Sequence, residues 1–171
     1  MSKYFIGGSA GTGKTSIVAE LVSRGYNAYD ADAFSRLEDK EGNPISTNSS
    51  QGPTDWSLVS WNWSKKDISK ILETDEDVFL AGNSTNMSDY FSSFDKIFVL
   101  YIKDPGVHAK RIMSDKNERY GKNPGDLKKI LLYRDELVDK LLSQPVSMKI
   151  DAGKAVKQVV DDILVAIRGD Q

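Results

Sequence analysis

The octapeptide Gly8-Ser9-Ala10-Gly11-Thr12-Gly13-Lys14-Thr15 has the form G-x-x-x-x-G-K-[ST] and decides the fold of this chain. The apolar stretch Tyr4-Phe5-Ile6 precedes it, and apolar residues at helical spacing follow it from Ile17 to Val22. In this order of strand, loop and helix, successive backbone N–H groups face one cavity and bind the oxygens of a polyphosphate. A glycine-rich turn that matches by chance would lack that order. The sequence therefore predicts a nucleotide-binding loop.

Two side chains of this loop add chemistry to that of the backbone. Lys14 brings a mobile positive charge to the outer phosphates, and the Thr15 hydroxyl can enter the coordination shell of Mg²⁺. We expect Lys14 to be catalytic and Thr15 to be a metal ligand, with ATP and Mg²⁺ as the cofactors. The predicted nucleotide-binding residues here are Gly8, Ser9, Ala10, Gly11, Thr12, Gly13, Lys14, Thr15 and Ser16.

Length, charge and cysteine content limit the class of protein. A chain of 171 residues suits one compact domain, so we expect a single domain over residues 1–171. The formal net charge of -2 disfavours nucleic-acid and membrane partners, although basic residues dominate between Lys110 and Arg134. The sequence has no cysteine, no stretch as apolar as a membrane span and no signal-peptide pattern. We expect a cytoplasmic protein, either a monomer or a dimer.

Apolar strand-like runs alternate with helical patterns along the chain. This alternation predicts a three-layer α/β/α fold, in which a five-stranded parallel sheet is covered by helices on both faces. The predicted strands are Lys3 to Ile6, Ala28 to Tyr29, Val78 to Ala81, Ile97 to Ile102 and Met148 to Ile150. The predicted helices are Lys14 to Ser23, Ala33 to Leu37, Lys65 to Leu72, Pro105 to Asp115, Asp126 to Leu142 and Ala155 to Arg168.

The segment before the third predicted helix has a different composition. Residues Glu38 to Thr54 are rich in Gly, Pro, Ser, Asn and Thr without a hydrophobic period, which predicts a loop on the surface or over a pocket. Trp56, Trp61 and Trp63 follow it. Packing in the core is our first interpretation of these tryptophans, and stacking on a ring-bearing substrate is the alternative. We expect residues 38–64 to form a surface loop or an insert on the substrate side.

Asp30 and Asp32 follow the second predicted strand, at the edge of the sheet where ligands bind in parallel α/β folds. In extended backbone their side chains would point to the same side, beside the phosphate loop. We assign Asp30 to the metal and Asp32 to the acceptor substrate. The alternative is that Asp32 caps the helix predicted from Ala33 while Asp30 is solvated. The strand Val78 to Ala81 does not end on an Asp, so the metal site depends more on Asp30.

Arg134 and the basic segment upstream of it are candidates for binding negative charge. Arg134 falls on the inward stripe of its predicted helix and needs an anionic partner, either a structural carboxylate such as Asp30 or a substrate phosphate. Residues 115–125 have the makeup of a flexible basic lid over the phosphates, with a solvated surface loop as the alternative. Arg111 can reach the nucleotide, whereas His108 is expected on an exposed helix surface.

In the order of its motifs, the chain resembles the small P-loop kinases of the shikimate kinase, gluconate kinase and nucleoside monophosphate kinase type. The resemblance continues from the phosphate loop through Asp30-Ala31-Asp32, Gly82, Arg119 and Arg134 to Ile150-Asp151-Ala152. It implies that Asp30 lies near magnesium, Asp32 near the acceptor and Arg119 on the phosphates of ATP. It also implies that Asp151 and Ala152 border the adenine.

The sequence also departs from this family. Gly82-Asn83-Ser84 replaces the Gly-rich triple of shikimate kinases, which puts shikimate in doubt as the acceptor. Gly82 can approach substrate closely or form part of a plain turn. The Trp-rich insert also resembles that of adenylate-kinase-like proteins whose acceptor is unknown.

Together these features predict an ATP-dependent, Mg²⁺-requiring phosphotransferase acting on a small metabolite, nucleoside or nucleotide. Its expected catalytic residues are Lys14, Asp32, Arg119 and Arg134. The alternative is a nucleotide-binding switch or regulatory ATPase that acts on a protein partner. A kinase that modifies RNA is disfavoured by the acidic overall charge.

Overall fold

A parallel β-sheet with helices on both faces forms the architecture. The computed structural model describes residues 1–45, 58–114 and 124–169. The strands are β1 (Lys3–Gly7), β2 (Asn27–Asp30), β3 (Ser35–Glu38), β4 (Ser60–Trp63), β5 (Val78–Ala81), β6 (Lys96–Tyr101) and β7 (Ser147–Asp151). The helices are α1 (Lys14–Ser23), α2 (Lys65–Leu72), α3 (Pro105–Ser114), α4 (Pro124–Leu142) and α5 (Val156–Arg168). Short 3-10 helices occupy Ala31–Phe34 and Met87–Ser93.

The main sheet has five strands in the order β2-β5-β1-β6-β7, and every neighbouring pair is parallel. The predicted three-layer fold with a five-stranded parallel sheet is confirmed. The chain leaves β1 for β2 and β5 on one side and later returns to β6 on the other. The carboxyl end of β1 is therefore the point where the strand order reverses, which is where ligands bind in open parallel sheets.

Side chains of β1 alternate between two cores on opposite faces of the sheet. Tyr4 and Ile6 pack with the buried stripes of α1 and α5. Phe5, which is fully buried, faces the other core, where it stacks on Phe94 at 5.2 Å and meets Trp63 edge-on at 5.7 Å. Because both faces are covered, the strand is a continuous apolar run instead of an alternating one.

The chain after β2 differs from the prediction. A helix was predicted from Ala33 to Leu37, but a 3-10 helix at Ala31–Phe34 is followed by β3, which pairs antiparallel with β4. The helix prediction is wrong because the partner strand, rich in β-forming tryptophan, lies more than twenty residues later in the sequence. The loop was predicted to start at Glu38, but Glu38 is the last residue of β3. Trp56 lies outside the described residues.

The helix boundaries agree closely with the sequence pattern elsewhere. α1 and α2 have the predicted bounds, α3 is helical up to Ser114, the last residue described there, and α4 begins earlier than predicted, at Pro124. Most of the predicted lid, with Arg119, lies outside the described residues. No helix in the described part of the chain is both long and apolar enough to cross a bilayer.

Candidate active site

The phosphate loop connects β1 to α1 at the carboxyl edge of the sheet. Gly11 and Gly13 have φ angles of 78° and 92°, a left-handed conformation that suits glycine. The Lys14 Nζ donates to the carbonyl oxygens of Gly8 at 2.8 Å and Ser9 at 3.3 Å. These bonds hold the ammonium group against the loop, so a polyphosphate bound to the loop amides would meet a positive charge.

Thr15 and Asp30 meet beside this loop. The Thr15 Oγ1 donates to the Asp30 Oδ2 at 2.8 Å, which brings the first turn of α1 to the end of β2. Mg²⁺ uses one or two protein oxygens and completes its shell with phosphate and water, so this hydroxyl and carboxylate fit it. In residues 1–45, 58–114 and 124–169 no three His, Cys, Asp or Glu side chains form a metal site. The fit is therefore for a metal ion that arrives with phosphate ligands.

Asp30 also organises the backbone that follows it. Its Oδ1 accepts from the Asp32 N–H at 3.1 Å, which caps the 3-10 helix Ala31–Phe34. The capping role that we considered for Asp32 therefore belongs to Asp30. Our assumption of extended backbone at Asp32 is also wrong, because the 3-10 helix already begins at Ala31.

Asp32 nevertheless lies at the carboxyl end of β5. A Cβ added to Gly82 would lie 3.2 Å from the Asp32 Oδ1, 3.4 Å from the Trp63 Cζ2 and 3.0 Å from the Ala31 Cβ. Gly82 is thus enclosed by groups from the 3-10 helix and from β4, and a larger residue there would push them apart. The structure places Asp32 and buried Trp63 around one point next to the phosphate loop.

Asn83 connects this point to the phosphate loop. Its Nδ2 donates to the Gly8 carbonyl oxygen, the same atom that accepts from Lys14. Asn86, in the same segment after β5, holds β4 in place. The Trp63 N–H donates to the Asn86 Oδ1 at 2.9 Å, and the Asn86 Nδ2 donates to the Trp63 carbonyl at 3.1 Å. Sequence reasoning did not find this role of Asn86, for which the only signal was a polar residue after a buried strand.

The Trp residues of the insert separate into two environments. Trp63 is 1 % exposed and packs in the core, as our first interpretation had it, whereas Trp61 is 40 % exposed.

On the other face of the β3–β4 ribbon, Glu38 accepts from the Arg36 Nε at 2.6 Å and from the Asn62 Nδ2 at 2.7 Å. These two bonds, with that of Asn62 the larger cause, hold the pKa of Glu38 below its usual range.

Arg111 fastens the turn that follows β7. Its guanidinium donates to the carbonyls of Ala152 at 2.6 Å, Gly153 at 2.8 Å and Lys154 at 3.2 Å. Asp151 accepts from the Gly153 N–H at 2.8 Å within the same turn. Asp151 and Ala152, predicted to border the adenine, and Arg111, predicted to reach the nucleotide, therefore lie together, with Arg111 bound to main-chain oxygens.

Arg134 is buried on α4, as its position on the helix stripe predicts, with 8 % of its surface exposed. Its guanidinium donates to the Ile102 carbonyl at 3.3 Å, pairs with Asp135 at 3.2 Å and lies over the Tyr101 ring at 5.4 Å. The suggested partner Asp30 is wrong, because α4 packs against β6 and therefore meets the end of that strand.

His108 is the main correction to the predicted site. We expected it on an exposed surface, but it is 1 % exposed and its Nε2 lies 2.6 Å from the Ala10 carbonyl oxygen in the phosphate loop. The spacing of His108 and Ile112, one helical turn apart, is the signal that marks this buried face of α3. Burial lowers the pKa of His108, and the nearby charges of Arg134, Arg111 and Lys14 lower it further against the opposing Ala10 hydrogen bond.

The depressed pKa of His108 predicts a loss of stability in mild acid. Between about pH 6.5 and the lower pKa of the folded state, the unfolded chain takes up a proton on this ring and the folded chain does not, so the free energy of unfolding falls as pH falls through this window. The slope reaches at most about 1.4 kcal/mol per pH unit. Urea unfolding of the wild type and of His108→Gln between pH 7.5 and 5.5 measures it. Equal slopes for the two proteins would show that His108 does not cause the loss of stability in acid.

The described geometry matches a known architecture. No protein-family model matches the sequence, and no curated protein sequence matches it significantly. The fold is that of the P-loop kinases, with a parallel sheet and the phosphate loop after its first strand.

Three solved structures illustrate this likeness. A shikimate kinase from Bacteroides thetaiotaomicron superposes with a TM-score of 0.64 at 16% identity, covering 98% of each chain. The TM-score with a gluconokinase from Sinorhizobium meliloti 1021 is 0.58 at 17% identity, and the alignment covers 96% of this chain and 89% of the gluconokinase chain. The TM-score with a deoxyadenosine kinase from M. mycoides is 0.60 at 12% identity, and the alignment covers 98% of this chain and 100% of the deoxyadenosine kinase chain. At these identities the likeness establishes the fold alone.

Proposed function

We propose that the chain is an Mg²⁺- and ATP-dependent phosphotransferase that moves the γ-phosphoryl group to a small metabolite, nucleoside or nucleotide. The contact of Thr15 with Asp30, beside Lys14 on the phosphate loop, is the observation that carries the proposal. It gathers oxygen donors for a metal and a positive charge for phosphate at one edge of the sheet. The shared fold of a gluconokinase, a shikimate kinase and a deoxyadenosine kinase supports it.

Phosphoryl transfer asks a protein mainly to position its substrates and to neutralise charge. The loop N–H groups and Lys14 would bind the phosphates, while Arg111 holds the Ala152 turn that would border the base. Thr15 and Asp30 would hold Mg²⁺, which neutralises charge on the phosphate oxygens when bound. Arg119 belongs to the proposed lid and would add charge there.

Asp32 is the proposed general base. Its carboxylate lies beside Gly82, and the next residue, Asn83, donates to the Gly8 carbonyl of the phosphate loop. At this place it would accept the proton of an acceptor hydroxyl as that oxygen attacks the γ-phosphorus. Arg134, held by the Ile102 carbonyl and Asp135, adds a buried positive charge near the end of β6 that would favour bound anions.

A screen for acceptor-dependent ADP release tests the proposal. Sugars, nucleosides, nucleotides and hydroxy acids are supplied with ATP and Mg²⁺, and at least one class should stimulate release well above the rate without acceptor. The alternative, a switch or regulatory ATPase, predicts slow hydrolysis that no acceptor in the panel changes. That outcome would replace the kinase proposal.

Asp30→Asn is expected to lower phosphoryl transfer by about 10²-fold and to raise the Mg²⁺ concentration needed for half-maximal rate. The amide keeps the size of the side chain but removes the charge that attracts the metal. Asp77→Asn is a matched control, because Asp77 lies before β5 and accepts from the Ser2 N–H at the opposite edge of the sheet. An Asp30→Asn enzyme with unchanged Mg²⁺ dependence would remove Asp30 from the metal site.

A further inference from the structure

His108 joins α3 directly to the phosphate loop. Since a carbonyl oxygen only accepts, the Nε2 of His108 carries the proton and donates to the Ala10 oxygen at 2.6 Å. The other ring nitrogen, Nδ1, is then unprotonated; it is buried and has no hydrogen-bond partner in the described part of the chain. The ring therefore has a single defined tautomer, set by its contact with the loop.

The loop and the helix are in close contact at this point. A Cβ added to Gly11 would lie 2.5 Å from the Ile112 Cγ1 and 3.4 Å from the His108 Cδ2. The chain at Gly11 also has a φ of 78°, so both its conformation and its contact with α3 require glycine. The backbone of the Ala10–Gly11 segment thus lies directly against the side chains of His108 and Ile112 on α3.

The orientation of one peptide group follows from this contact. In a trans peptide the carbonyl oxygen and the next N–H point in opposite directions, and the described chain has no cis peptide. The Ala10 carbonyl points to His108, so the Gly11 N–H points to the side of the loop away from α3. Backbone N–H groups are what a loop of this kind uses to bind phosphate oxygens.

We propose that His108 is a positioning residue for the nucleotide: its imidazole holds the Ala10–Gly11 peptide so that the Gly11 N–H donates to a phosphate oxygen. The inference rests on the proposed function in taking a nucleoside polyphosphate as the ligand. The charged groups around the ring are Lys14 of α1, Arg111 of α3 and Arg134 of α4. Together with burial they keep the ring neutral, so it acts as a hydrogen-bond donor from one nitrogen.

Three substitutions separate the hydrogen bond from simple packing. The amide of His108→Gln reaches the place of Nε2 and can donate to the Ala10 oxygen, whereas that of His108→Asn ends near the place of Nδ1 and cannot. His108→Leu fills space without a donor. We expect binding of a non-hydrolysable ATP analogue with Mg²⁺, measured by calorimetry, to weaken about tenfold in the Asn and Leu proteins. In the Gln protein it should stay within about twofold of the wild type.

The outcomes distinguish this inference from the proposed function. Wild-type affinity in the Asn and Leu proteins, or equal weakening in all three, would overturn the role of His108 while leaving the kinase proposal intact. A wild-type chain that binds no nucleotide would overturn both. Circular dichroism at the titration temperature shows which variants are folded.

A measurement on the wild type needs no substitution. The chain contains one histidine, so its ring nitrogens give unambiguous nitrogen NMR signals. We expect the Nε2–H tautomer at neutral pH and a change in the Nε2 proton shift when Mg-ADP is added. An Nδ1–H tautomer, or ring chemical shifts that do not change when Mg-ADP is added, would overturn the proposal. This test holds even if every variant fails to fold.

Discussion

Lys14→Ala is expected to lower the rate of phosphoryl transfer by about 10²–10³-fold at saturating ATP. The Lys14 Nζ is held at the phosphate loop by the Gly8 and Ser9 carbonyls, and alanine leaves the charge that develops on the transferred phosphoryl group without this partner. The loss should appear in kcat as well as in kcat/KM, because the interaction strengthens in the transition state. Initial rates of ADP release with the best acceptor measure it.

The matched control for this variant is Lys157→Ala. Lys157 is exposed on α5, and its removal changes the net charge by the same amount. We expect its rate to equal that of the wild type, and we expect both variants to keep the far-ultraviolet circular dichroism of the parent. A Lys14→Ala protein that is folded and fully active would exclude the phosphate loop from the reaction.

Gly11→Ala is expected to lower both stability and nucleotide affinity. The left-handed conformation costs an alanine about 1–2 kcal/mol, and the 2.5 Å approach to the Ile112 Cγ1 adds an overpacking cost of about 1–3 kcal/mol. Relief of this contact separates the loop from α3 and breaks the bond from His108 to the Ala10 oxygen. Urea unfolding and calorimetric titration with Mg-ADP measure the two effects.

Gly25→Ala isolates the conformational part of that cost. Gly25 has a φ of 86° in the turn after α1, and a Cβ there would meet no atom within 4 Å. This variant should lose only the strain of about 1–2 kcal/mol and should bind nucleotide like the wild type. If Gly11→Ala is no less stable than Gly25→Ala, the close contact between loop and helix is not present in solution.

The residues that meet in the site differ in how far the sequence could predict them. The phosphate loop is specified locally, since its glycines supply positive φ and its fixed Lys and Thr positions place charge and hydroxyl at the start of α1. The three central strands of the sheet, β1, β5 and β6, are specified by apolar runs that are buried on both faces. The position of Asp30 at the end of β2 follows from these two features, and the structure brings it to Thr15.

Other parts of the site depend on contacts between distant segments. The β3–β4 ribbon replaces a predicted helix because Leu37 pairs with Trp61, and the local pattern of Ser35 to Glu38 carries no information about that partner. Arg134 was assigned correctly to a buried face, yet its partners come from the end of β6 and from the neighbouring Asp135. The burial of Arg134 could be predicted from the helical period of the sequence. Its hydrogen-bond and ion-pair partners could not, because they depend on how α4 packs on the sheet.

What the sequence alone determined is the sheet and the phosphate loop, because backbone conformation and apolar periodicity are properties of neighbouring residues. What only the tertiary structure decided is which side chains support that loop. Asn83 reaches the Gly8 carbonyl and His108 reaches the Ala10 carbonyl from segments about 75 and 98 residues away in sequence. A polar side chain finds such an acceptor only when packed helices and strands bring it there, and that placement depends on the whole core.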